Sequence, residues 1–482
     1  MIKKQVEKNG ACELVYPGKV TEAKALSVKA APLIETKAFG QGPSLNMLIH
    51  GENLPVLKTL LEMKQEGLLR NGDGSKGVRL VYIDPPFATN LSFKSKKEHR
   101  AYDDKIIGPS FIEFLRKRLI LLRELLSDDG SIFVHLDWKK AHSIKIIMDE
   151  VFSEENFLND IVWSYGGRGA KAIASQFSRN HDIILWYGGK HRVFNQQFTQ
   201  KRVRKGEAGF REDSSGRWFK TSPRGDYTDA SIAALRKDGR VYETKNGNIR
   251  IKYFLKEDGD RLIEDKLVGD VWDDIPDAMH LSTEEKTGYP TQKPEALLAR
   301  IINAASNNGD LVLDAFAGAG TTLAVAEKLG RRWIGIDSGE LSMRTVEERL
   351  LSIASSKSLE NPKRRFGKGP RPFSLFEAGE SAHCHKRPTP KVKSRYSIDE
   401  KTDTCVIKIE RFGEKGVDAL SSVMIDTAFD GEVFRPSVFH FAESLKANNY
   451  EIRLPLSECR GEVMMVYAAA SGDEAWHIGE VV

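Results

Sequence analysis

Leu311–Thr322 reads LVLDAFAGAGTT, an apolar run that ends in a carboxylate and continues into two glycines and two threonines. The three apolar residues before Asp314 are typical of a buried strand in a parallel sheet. Gly318 and Gly320 permit positive φ in a tight turn and let a ligand approach the backbone closely. The two threonines then begin a helix. Strand, turn and helix in this order predict a ligand crevice at the carboxyl edge of an open α/β sheet.

A second carboxylate follows at the end of the next predicted strand. Asp337 comes directly after Trp333–Ile336 and 23 residues after Asp314 (337 − 314). A carboxylate at this position can accept the hydroxyl protons of a ribose. Hydroxyls and N–H groups of Thr321 and Thr322 suit a carboxylate at the start of a helix. No Gly-x-x-x-x-Gly-Lys-Ser/Thr phosphate loop occurs, so the pattern favours a nucleoside cofactor with a methionine-type tail over a dinucleotide.

Another polar stretch, Asp84-Pro85-Pro86-Phe87, ends the apolar strand predicted over Val78–Ile83. Proline has no N–H, so its backbone offers only a carbonyl acceptor. An exocyclic amine has two N–H donors, one for the Asp84 carboxylate and one for the Pro85 carbonyl. These hydrogen bonds stabilise positive charge that develops on the nitrogen. Phe87 adds a flat surface for a base, and such stacking contributes about 1–3 kcal/mol.

The two stretches together predict transfer of a methyl group from S-adenosylmethionine to a nucleobase nitrogen. No cysteine accompanies Asp84, so direct in-line attack on the sulfonium methyl is the economical mechanism, with positioning providing much of the rate enhancement. A base within a duplex has to leave the stack to reach such a pocket.

Composition excludes several other classes of protein. The 482 residues are 40% hydrophobic, enough for more than one core, and carry a net charge of only +5. No apolar run is long enough for a membrane span, and residues 1–7 lack the apolar centre of a signal peptide. Four cysteines without a Cys-x-x-Cys pair suit a reducing cytoplasm. We interpret His383-Cys384-His385 as linker composition and expect no metal site.

The pattern of strands and helices predicts the domain organisation. Alternating strands and helices indicate a doubly wound α/β domain. This alternation is lost between about 190 and 277. The expected parts are an N-terminal arm (1–44), the α/β domain (45–350) with an insert (190–277), a basic linker (351–394) and a small β-rich domain (395–482).

The insert begins with a basic, aromatic segment. Residues 190–224 hold ten Lys or Arg against three acids, and five aromatic residues lie among them. Such a segment is typical of nucleic-acid contacts. The densest run predicts a DNA-binding set of Lys201, Arg202, Arg204 and Lys205.

These motifs resemble the amino-methyltransferases of DNA, in particular the permuted group that includes the modification subunits of type III restriction systems. The resemblance covers about residues 45–350. In that family the strand ending in Asp/Asn/Ser-Pro-Pro-Tyr/Phe carries catalysis, which implies this role for Asp84–Phe87. The family's cofactor loop corresponds to Asp314–Thr322, which assigns Phe316 to the cofactor, with Ala315 in place of the common proline.

Two further segments resemble family signatures. Gly288–Pro294 is similar to the Thr-Gln-Lys-Pro signature, which implies that Lys293 lines the methionine end of the cofactor. Gly51-Glu52-Asn53-Leu54 resembles the Gly-Asp-Asn-Leu that contacts the cofactor adenine, with Glu52 one methylene longer than the usual Asp. The resemblance thus assigns Glu52 and Asn53 to the cofactor site.

The order of the segments implies a circular permutation, because the cofactor loop follows Asp84 by 230 residues (314 − 84) instead of preceding it. The expected fold is a Rossmann-like, S-adenosylmethionine-dependent methyltransferase domain, circularly permuted, with an inserted target-recognition region and a small C-terminal β-rich domain. The expected partners are double-stranded DNA and either a restriction subunit or a second copy of the chain.

The expected reaction is methylation of adenine N6, because the family's cytosine enzymes more often carry Ser at the position of Asp84. Two alternatives stay open. Cytosine N4 presents the same amine chemistry, and a non-catalytic DNA-binding or specificity subunit could retain the fold.

Overall fold

The computed structural model describes residues 13–44, 46–86, 92–94, 100–103, 108–165, 177, 180–379, 390–414, 416–459, 462–469 and 473–480. The chain divides into two compact units. One unit is Gln196–Gly269, and the other comprises Met1–Asn195 and Asp270–Val482.

A mixed sheet forms the centre of the larger unit, and ten strands of the described part of the chain belong to it. In sheet order these are β1 (Leu33–Phe39), β19 (Phe373–Ala378), β2 (Asn46–His50), β18 (Arg332–Asp337), β17 (Leu311–Asp314), β3 (Val78–Ile83), β6 (Leu126–Asp137), β8 (His181–Gly188), β7 (Phe157–Ser164) and β16 (Val271–Trp272).

Parallel pairing brings distant motifs to one edge of this sheet. Strands β19, β2, β18, β17, β3 and β6 run parallel to their neighbours within this group. Val312 of β17 pairs with Leu80 of β3 although the two are far apart in the chain. Asp84, Asp314 and Asp337 therefore lie at the carboxyl ends of three adjacent strands, where the sequence predicted a crevice.

Helices cover the sheet and supply most of the core. They are α1 (Glu22–Leu26), α2 (Asn53–Gln65), α3 (Gly108–Leu125), α4 (Ala141–Phe152), α6 (Glu295–Ala305), α7 (Thr321–Lys328) and α8 (Glu340–Leu351). Leu60 of α2, Leu119 of α3 and Ile147 of α4 are fully buried in one apolar cluster with Val81 of β3. This layered arrangement confirms the predicted α/β class. A short antiparallel pair, β4 (Ser92–Lys94) and β5 (Arg100–Asp103), precedes α3.

The prediction of a linker over 351–394 is wrong for part of that segment. Strand β19 lies inside the central sheet, parallel to β2 and antiparallel to β1. Phe373 is fully buried and stacks on Phe39 with ring centroids 4.6 Å apart. The strand is short and follows a basic Pro/Gly-rich stretch, and both its partners are more than 300 residues away, so local composition could not reveal it. Strand β1 likewise makes part of the predicted N-terminal arm an edge strand of the sheet.

The C-terminal region contains two antiparallel sheets. The first consists of β20 (Val392–Asp399), β21 (Thr404–Phe412) and β24 (Glu451–Pro455). The second consists of β23 (Val438–Phe441), β22 (Leu420–Phe429), β25 (Glu462–Ala469) and β26 (Glu474–Glu480), with the short helix α9 (Ala442–Ala447). They have their own apolar cluster but belong to the same compact unit as the central sheet.

A buried charge network joins the C-terminal region to the central sheet. Lys37 of β1 binds Glu347 of α8 at 3.2 Å and Glu474 of β26 at 2.7 Å. Arg344 of α8 binds Glu347 at 3.3 Å and donates to the Ser422 hydroxyl of β22. The side chains of Lys37, Glu347 and Arg344 are at most 5% exposed. The two regions are thus held together by charges that have little contact with water.

The smaller unit, Gln196–Gly269, is a β-rich body with its own interior. One sheet contains β9 (Phe198–Arg204), β14 (Lys256–Asp258) and β15 (Arg261–Leu267), and another contains β10 (Phe210–Glu212), β11 (Trp218–Pro223), β12 (Val241–Glu243) and β13 (Ile249–Phe254). Helix α5 (Asp229–Lys237) follows β11. Buried side chains include Val203, Phe219, Ile251 and Leu262.

Candidate active site

A cavity of about 460 Å³ lies at the carboxyl ends of β2, β3, β17 and β18. It gathers nearly all of the catalytic and cofactor residues predicted from the sequence. These are Glu52, Asn53, Asp84, Pro85, Pro86, Lys293, Asp314, Phe316, Gly318, Thr321, Thr322 and Asp337. The predicted Phe87 lies outside the described residues.

The glycine turn after β17 has the geometry that its sequence predicts. Gly318 has φ 50° and Gly320 has φ 70°, both in the left-handed region that favours glycine. A Cβ on Gly320 would lie 2.7 Å from Val346 of α8. Ser342 of α8 donates a 2.7 Å hydrogen bond to the Gly318 carbonyl. The turn is therefore pressed against α8 and presents its other side to the cavity.

Each carboxylate oxygen of Asp337 accepts a backbone N–H, one from this turn and one from the start of α8. One oxygen accepts the Gly318 N–H at 2.8 Å and the other accepts the Gly339 N–H at 2.8 Å. Burial raises the pKa of Asp337 above its ordinary value, although these hydrogen bonds oppose that effect. Each carboxylate oxygen can accept a second hydrogen bond. The geometry is thus compatible with a ribose, and the ribose role of Asp337 stays a prediction.

Asp314 is buried beside the turn and is bound from within the protein. It accepts the Phe316 N–H at 3.0 Å and the Thr322 hydroxyl at 2.5 Å. The Thr321 hydroxyl donates to the Lys293 carbonyl at 3.2 Å. Both threonine hydroxyls therefore point their protons inward, which leaves the N–H groups at the start of α7 for a ligand.

Burial raises the pKa of Asp314 to about 7, and the neighbouring carboxylates Asp84 and Asp337 add to the shift. The Asp314 carboxyl group therefore binds its proton more tightly in the folded chain than in the unfolded chain. The resulting stabilisation is present at low pH and is lost as pH rises from about 4 towards 7. We expect Asp314→Asn, without cofactor, to gain thermal stability relative to the wild type as pH rises. Melting temperatures from pH 5 to 8 measure this difference, and a constant gap would contradict the assignment.

Arg118 of α3 holds Glu52 and Asn53 in place. Its Nε donates to the Asn53 side chain at 2.5 Å, and its guanidinium pairs with Glu52. The guanidinium also lies 3.5 Å from the centre of the Phe114 ring. Asn53 in turn donates to the Ala315 carbonyl at 2.7 Å. Burial lowers the pKa of Arg118 to about 10. The only signal in the sequence is an arginine within an apolar helix pattern.

Asp84 and Lys293 meet in the cavity. Lys293 Nζ forms an ion pair with Asp84, and the two side chains are 11% and 19% exposed. Thr291 adopts φ 58° just before it, and the buried Gln292 accepts the Thr287 N–H at 2.9 Å. The resemblance assigned Lys293 to the cofactor, and in this structure its side chain contacts Asp84.

The four cations predicted to bind DNA lie in the smaller unit, at and just after β9. Arg202 pairs with Asp258 at 3.3 Å, and Lys205 pairs with Glu257 at 2.5 Å. Side chains alternate along a strand, so Lys201 lies on one face of β9, and Arg202 and Arg204 lie on the other. The run is therefore not one patch, and two of its charges have acidic partners.

In the part of the chain that the structure describes, no helix is long and apolar enough to cross a membrane. The same residues contain no cluster of three or more potential metal-ligating side chains. His383-Cys384-His385 lies outside the described residues.

Comparison with known proteins agrees with this geometry. A sequence model of the DNA methylase family matches residues 78–348. The type II methyltransferase M.EcaI of Enterobacter cloacae is 33% identical, over 70% of this chain and 77% of that protein. The DNA adenine methyltransferase YhdJ of Escherichia coli is 27% identical, over 66% of this chain and 87% of that protein. The chain belongs to the DNA methylase family.

The probable type III restriction-modification enzyme HindVI Mod subunit of Haemophilus influenzae is 27% identical, over 66% of this chain. The match spans 52% of that subunit, so the chain covers about half the length of this relative. The solved complex of M1.HpyAVI with SAM is 19% identical, with a TM-score of 0.36, over 63% of this chain and 98% of that chain.

The cofactor of this family member is S-adenosylmethionine, and the cavity residues fit it. The glycine turn allows close approach to the backbone, Asp337 retains lone pairs for ribose hydroxyls, and the start of α7 offers N–H groups to a carboxylate. A cavity of this size is within the range of small-molecule and cofactor sites.

Proposed function

We propose that this chain methylates the N6 amine of adenine in double-stranded DNA. One observation carries the proposal: Asp84-Pro85 and the glycine turn of Gly318 line a single cavity. A set of amine acceptors beside a nucleoside site is what methyl transfer to a base nitrogen requires. YhdJ, a relative that is named an adenine methyltransferase, supports adenine as the target.

The residues of the chain accept hydrogen bonds from the target amine and orient its nitrogen. When bound, S-adenosylmethionine supplies an electrophilic methyl group on its sulfonium. The Asp84 carboxylate accepts one N–H of the amine, and the Pro85 carbonyl accepts the other. These contacts aim the nitrogen lone pair and stabilise the positive charge that develops on it. The amine of a stacked base cannot enter the cavity, so the target base leaves the duplex.

The test is to identify the methylated base. The purified chain is incubated with S-adenosylmethionine and unmethylated duplex DNA, and the digested nucleosides are separated by mass spectrometry. N6-methyladenine supports the proposal. N4-methylcytosine would show that the target base is cytosine, with the same transfer of methyl to an amine. No methylation of any duplex with intact cofactor binding would favour the non-catalytic alternative.

We further propose that the domain is circularly permuted. The cofactor strand β17 pairs directly with the catalytic strand β3, although it comes much later in the chain. Sheet neighbours need no particular order along the chain, so a permuted gene produces the same site. The expected result is that a rearranged chain, with the cofactor segment before the catalytic segment, still binds the methyl donor.

The smaller unit is proposed as the target-recognition region. Its boundaries, Gln196–Gly269, lie inside the insert predicted over 190–277. It carries basic side chains, and four of these, at and just after β9, form the predicted DNA-binding set. This β-rich unit contributes none of the residues that line the methyl-transfer cavity, so its side chains are available for contacts with DNA bases.

Neutralising Lys201, Arg202, Arg204 and Lys205 together is expected to weaken binding to cognate and scrambled duplexes alike. Each lost phosphate contact lowers the slope of log affinity against log salt by about 0.9. Lys201 lies on one face of β9, and Arg202 and Arg204 lie on the other. The residues on the face that contacts DNA should therefore account for most of the change in slope. Titration at several salt concentrations measures the slope, with Arg236→Gln/Lys237→Gln in α5 as a matched control. An unchanged slope in the fourfold variant would contradict this role.

A restriction polypeptide or a second copy of the chain is the proposed protein partner. The support is the likeness to a type III Mod subunit, a protein named as part of a restriction-modification enzyme. Light scattering of the purified chain, alone and with a co-expressed restriction polypeptide, tests both. A monomer in each case would contradict the proposal.

A further inference from the structure

One buried arginine of α8 contacts both the glycine turn and the start of α6. Arg349 donates from Nη1 to the Ala319 carbonyl and to the Thr321 hydroxyl oxygen, both at 3.0 Å. Its Nη2 donates to Glu295 at 2.9 Å. The side chains of Arg349 and Glu295 are 8% and 10% exposed. A single guanidinium therefore links three elements of the larger unit.

The direction of these hydrogen bonds is fixed, because a guanidinium only donates. The Thr321 oxygen accepts from Arg349, and its own proton goes to the Lys293 carbonyl at 3.2 Å. Among the described residues, Thr321 and Lys293 line the cavity of about 460 Å³, but Arg349 does not. Arg349 therefore influences the cavity through the backbone of the turn and of the Lys293 segment.

A second cation helps to hold the carboxylate that orients Arg349. Lys328 of α7 donates to the other oxygen of Glu295 at 2.6 Å, and its side chain is 1% exposed. Burial disfavours the charged form of Glu295, but the charges of Arg349 and Lys328 lower its pKa below the ordinary value. Glu295 therefore remains a carboxylate that accepts from both cations.

The contact of Arg349 restrains the turn on both sides of its most constrained residue. Gly320 has φ 70°, and the two groups that Arg349 holds belong to Ala319 before it and Thr321 after it. Thr321 begins α7, whose first N–H groups suit the carboxylate of the cofactor. A site that is held in its binding conformation loses less conformational freedom when the ligand binds, and its affinity is higher.

We propose that Arg349 is a positioning residue for S-adenosylmethionine. Its hydrogen bonds to Ala319 and Thr321 hold the glycine turn in the conformation that binds the cofactor, and the Thr321 hydroxyl extends this restraint to the Lys293 segment. The inference deepens the proposed function and rests on its cofactor site. Asp84 lies at the end of β3, whereas Arg349 contacts the turn and α6. Loss of Arg349 should therefore weaken cofactor binding more than it slows methyl transfer.

The test is calorimetry with S-adenosylmethionine, without DNA, on the wild type, Arg349→Met and Arg349→Lys. Arg349→Met removes both hydrogen bonds to the turn but leaves Glu295 paired with Lys328. It should weaken cofactor binding about tenfold, because hydrogen bonds from a charged group are strong. Arg349→Lys keeps a charge for Glu295 but lacks the forked donors, so its affinity should lie in between. Single-turnover transfer at saturating cofactor should stay within about twofold of the wild type.

Arg331→Met is the matched control for a general loss of stability. Arg331 is 9% exposed and also donates to two backbone carbonyls, those of Leu329 at 2.8 Å and Ser306 at 2.7 Å. It precedes the amino end of β18, whereas the cavity lies at the carboxyl ends of the strands. Arg331→Met should lower the melting temperature and leave cofactor affinity close to that of the wild type.

Three results would overturn the inference: wild-type cofactor affinity in Arg349→Met, an equal loss of affinity in Arg331→Met, or a transfer rate at saturating cofactor that falls as much as the affinity. If Arg349→Met fails to fold, Arg349→Lys decides, and wild-type affinity in that variant would overturn the inference. The proposed function fails separately, because calorimetry needs no DNA. A wild type that binds the cofactor but methylates no duplex would overturn the proposed function alone.

Discussion

Replacing Asp84 with alanine should abolish methyl transfer while leaving S-adenosylmethionine binding within a few-fold. The carboxylate is the acceptor nearest to the developing charge, and losing one such group costs about a hundredfold or more in rate. Asp84 sits at the end of β3 and contacts Lys293, not the glycine turn, so the cofactor site should remain intact. Single-turnover transfer of a labelled methyl group and calorimetry with the cofactor measure the two effects.

The ion pair with Lys293 calls for two controls, because Asp84→Ala removes an acidic partner of the Lys293 ammonium. The double variant Asp84→Ala/Lys293→Met removes that charge. If it recovered most of the rate, the loss would come from Lys293 and not from a missing acceptor. Asp160→Ala, an exposed carboxylate on β7, should behave as the wild type. Retention of more than about a tenth of the wild-type rate by Asp84→Ala would remove its catalytic assignment.

Asp337→Ala should instead weaken cofactor binding, by about a hundredfold, since hydrogen bonds to a charged group are worth about 1.5–3 kcal/mol each. The change removes the proposed ribose acceptor and also frees the N–H groups of Gly318 and Gly339, which the carboxylate now holds at 2.8 Å. Calorimetry with S-adenosylmethionine measures the loss. Duplex affinity should change little, because the carboxylate lies on the cofactor side of the cavity.

Asp430→Ala provides a matched control for this effect. Asp430 also accepts two backbone N–H groups, from Glu432 at 3.0 Å and Val433 at 3.1 Å, but it does so in an exposed turn. Its removal should leave cofactor affinity unchanged. Equal losses in the two variants would show that the effect is not specific to the cavity, and unchanged binding in Asp337→Ala would refute its place in the site.

The central residues of the site could be predicted because each stands directly after an apolar strand. Asp84, Asp314 and Asp337 need only one inference from the sequence, namely that carboxyl ends of parallel strands share an edge. Strand boundaries also followed from apolar runs, as for the strand predicted over Val78–Ile83 and found at the same residues. These features depend on local sequence.

The residues that escaped prediction depend on contacts between distant elements. Arg118 reaches Asn53 because α3 packs beside the start of α2, and Phe373 is buried because β19 lies between β1 and β2. Neither carries a motif. The basic run from Lys201 shows a different limit, because strand alternation places residues that are adjacent in sequence on two faces of β9. Its role in DNA binding stays a prediction.

The buried ion pairs among Lys37, Glu347, Arg344 and Glu474 restrict which segments of this protein can be exchanged with those of a relative. Breaking a buried pair by removing one partner costs about 3–5 kcal/mol, because an uncompensated charge remains inside. A fragment that stops before the C-terminal sheets would lose Glu474 and leave Lys37 facing the space it occupied. A chimera that borrows those sheets from a relative should therefore take its first strand and the matching side of α8 from the same parent. The C-terminal sheets, β1 and this side of α8 must therefore be exchanged together, because their charges pair although they are far apart in the sequence.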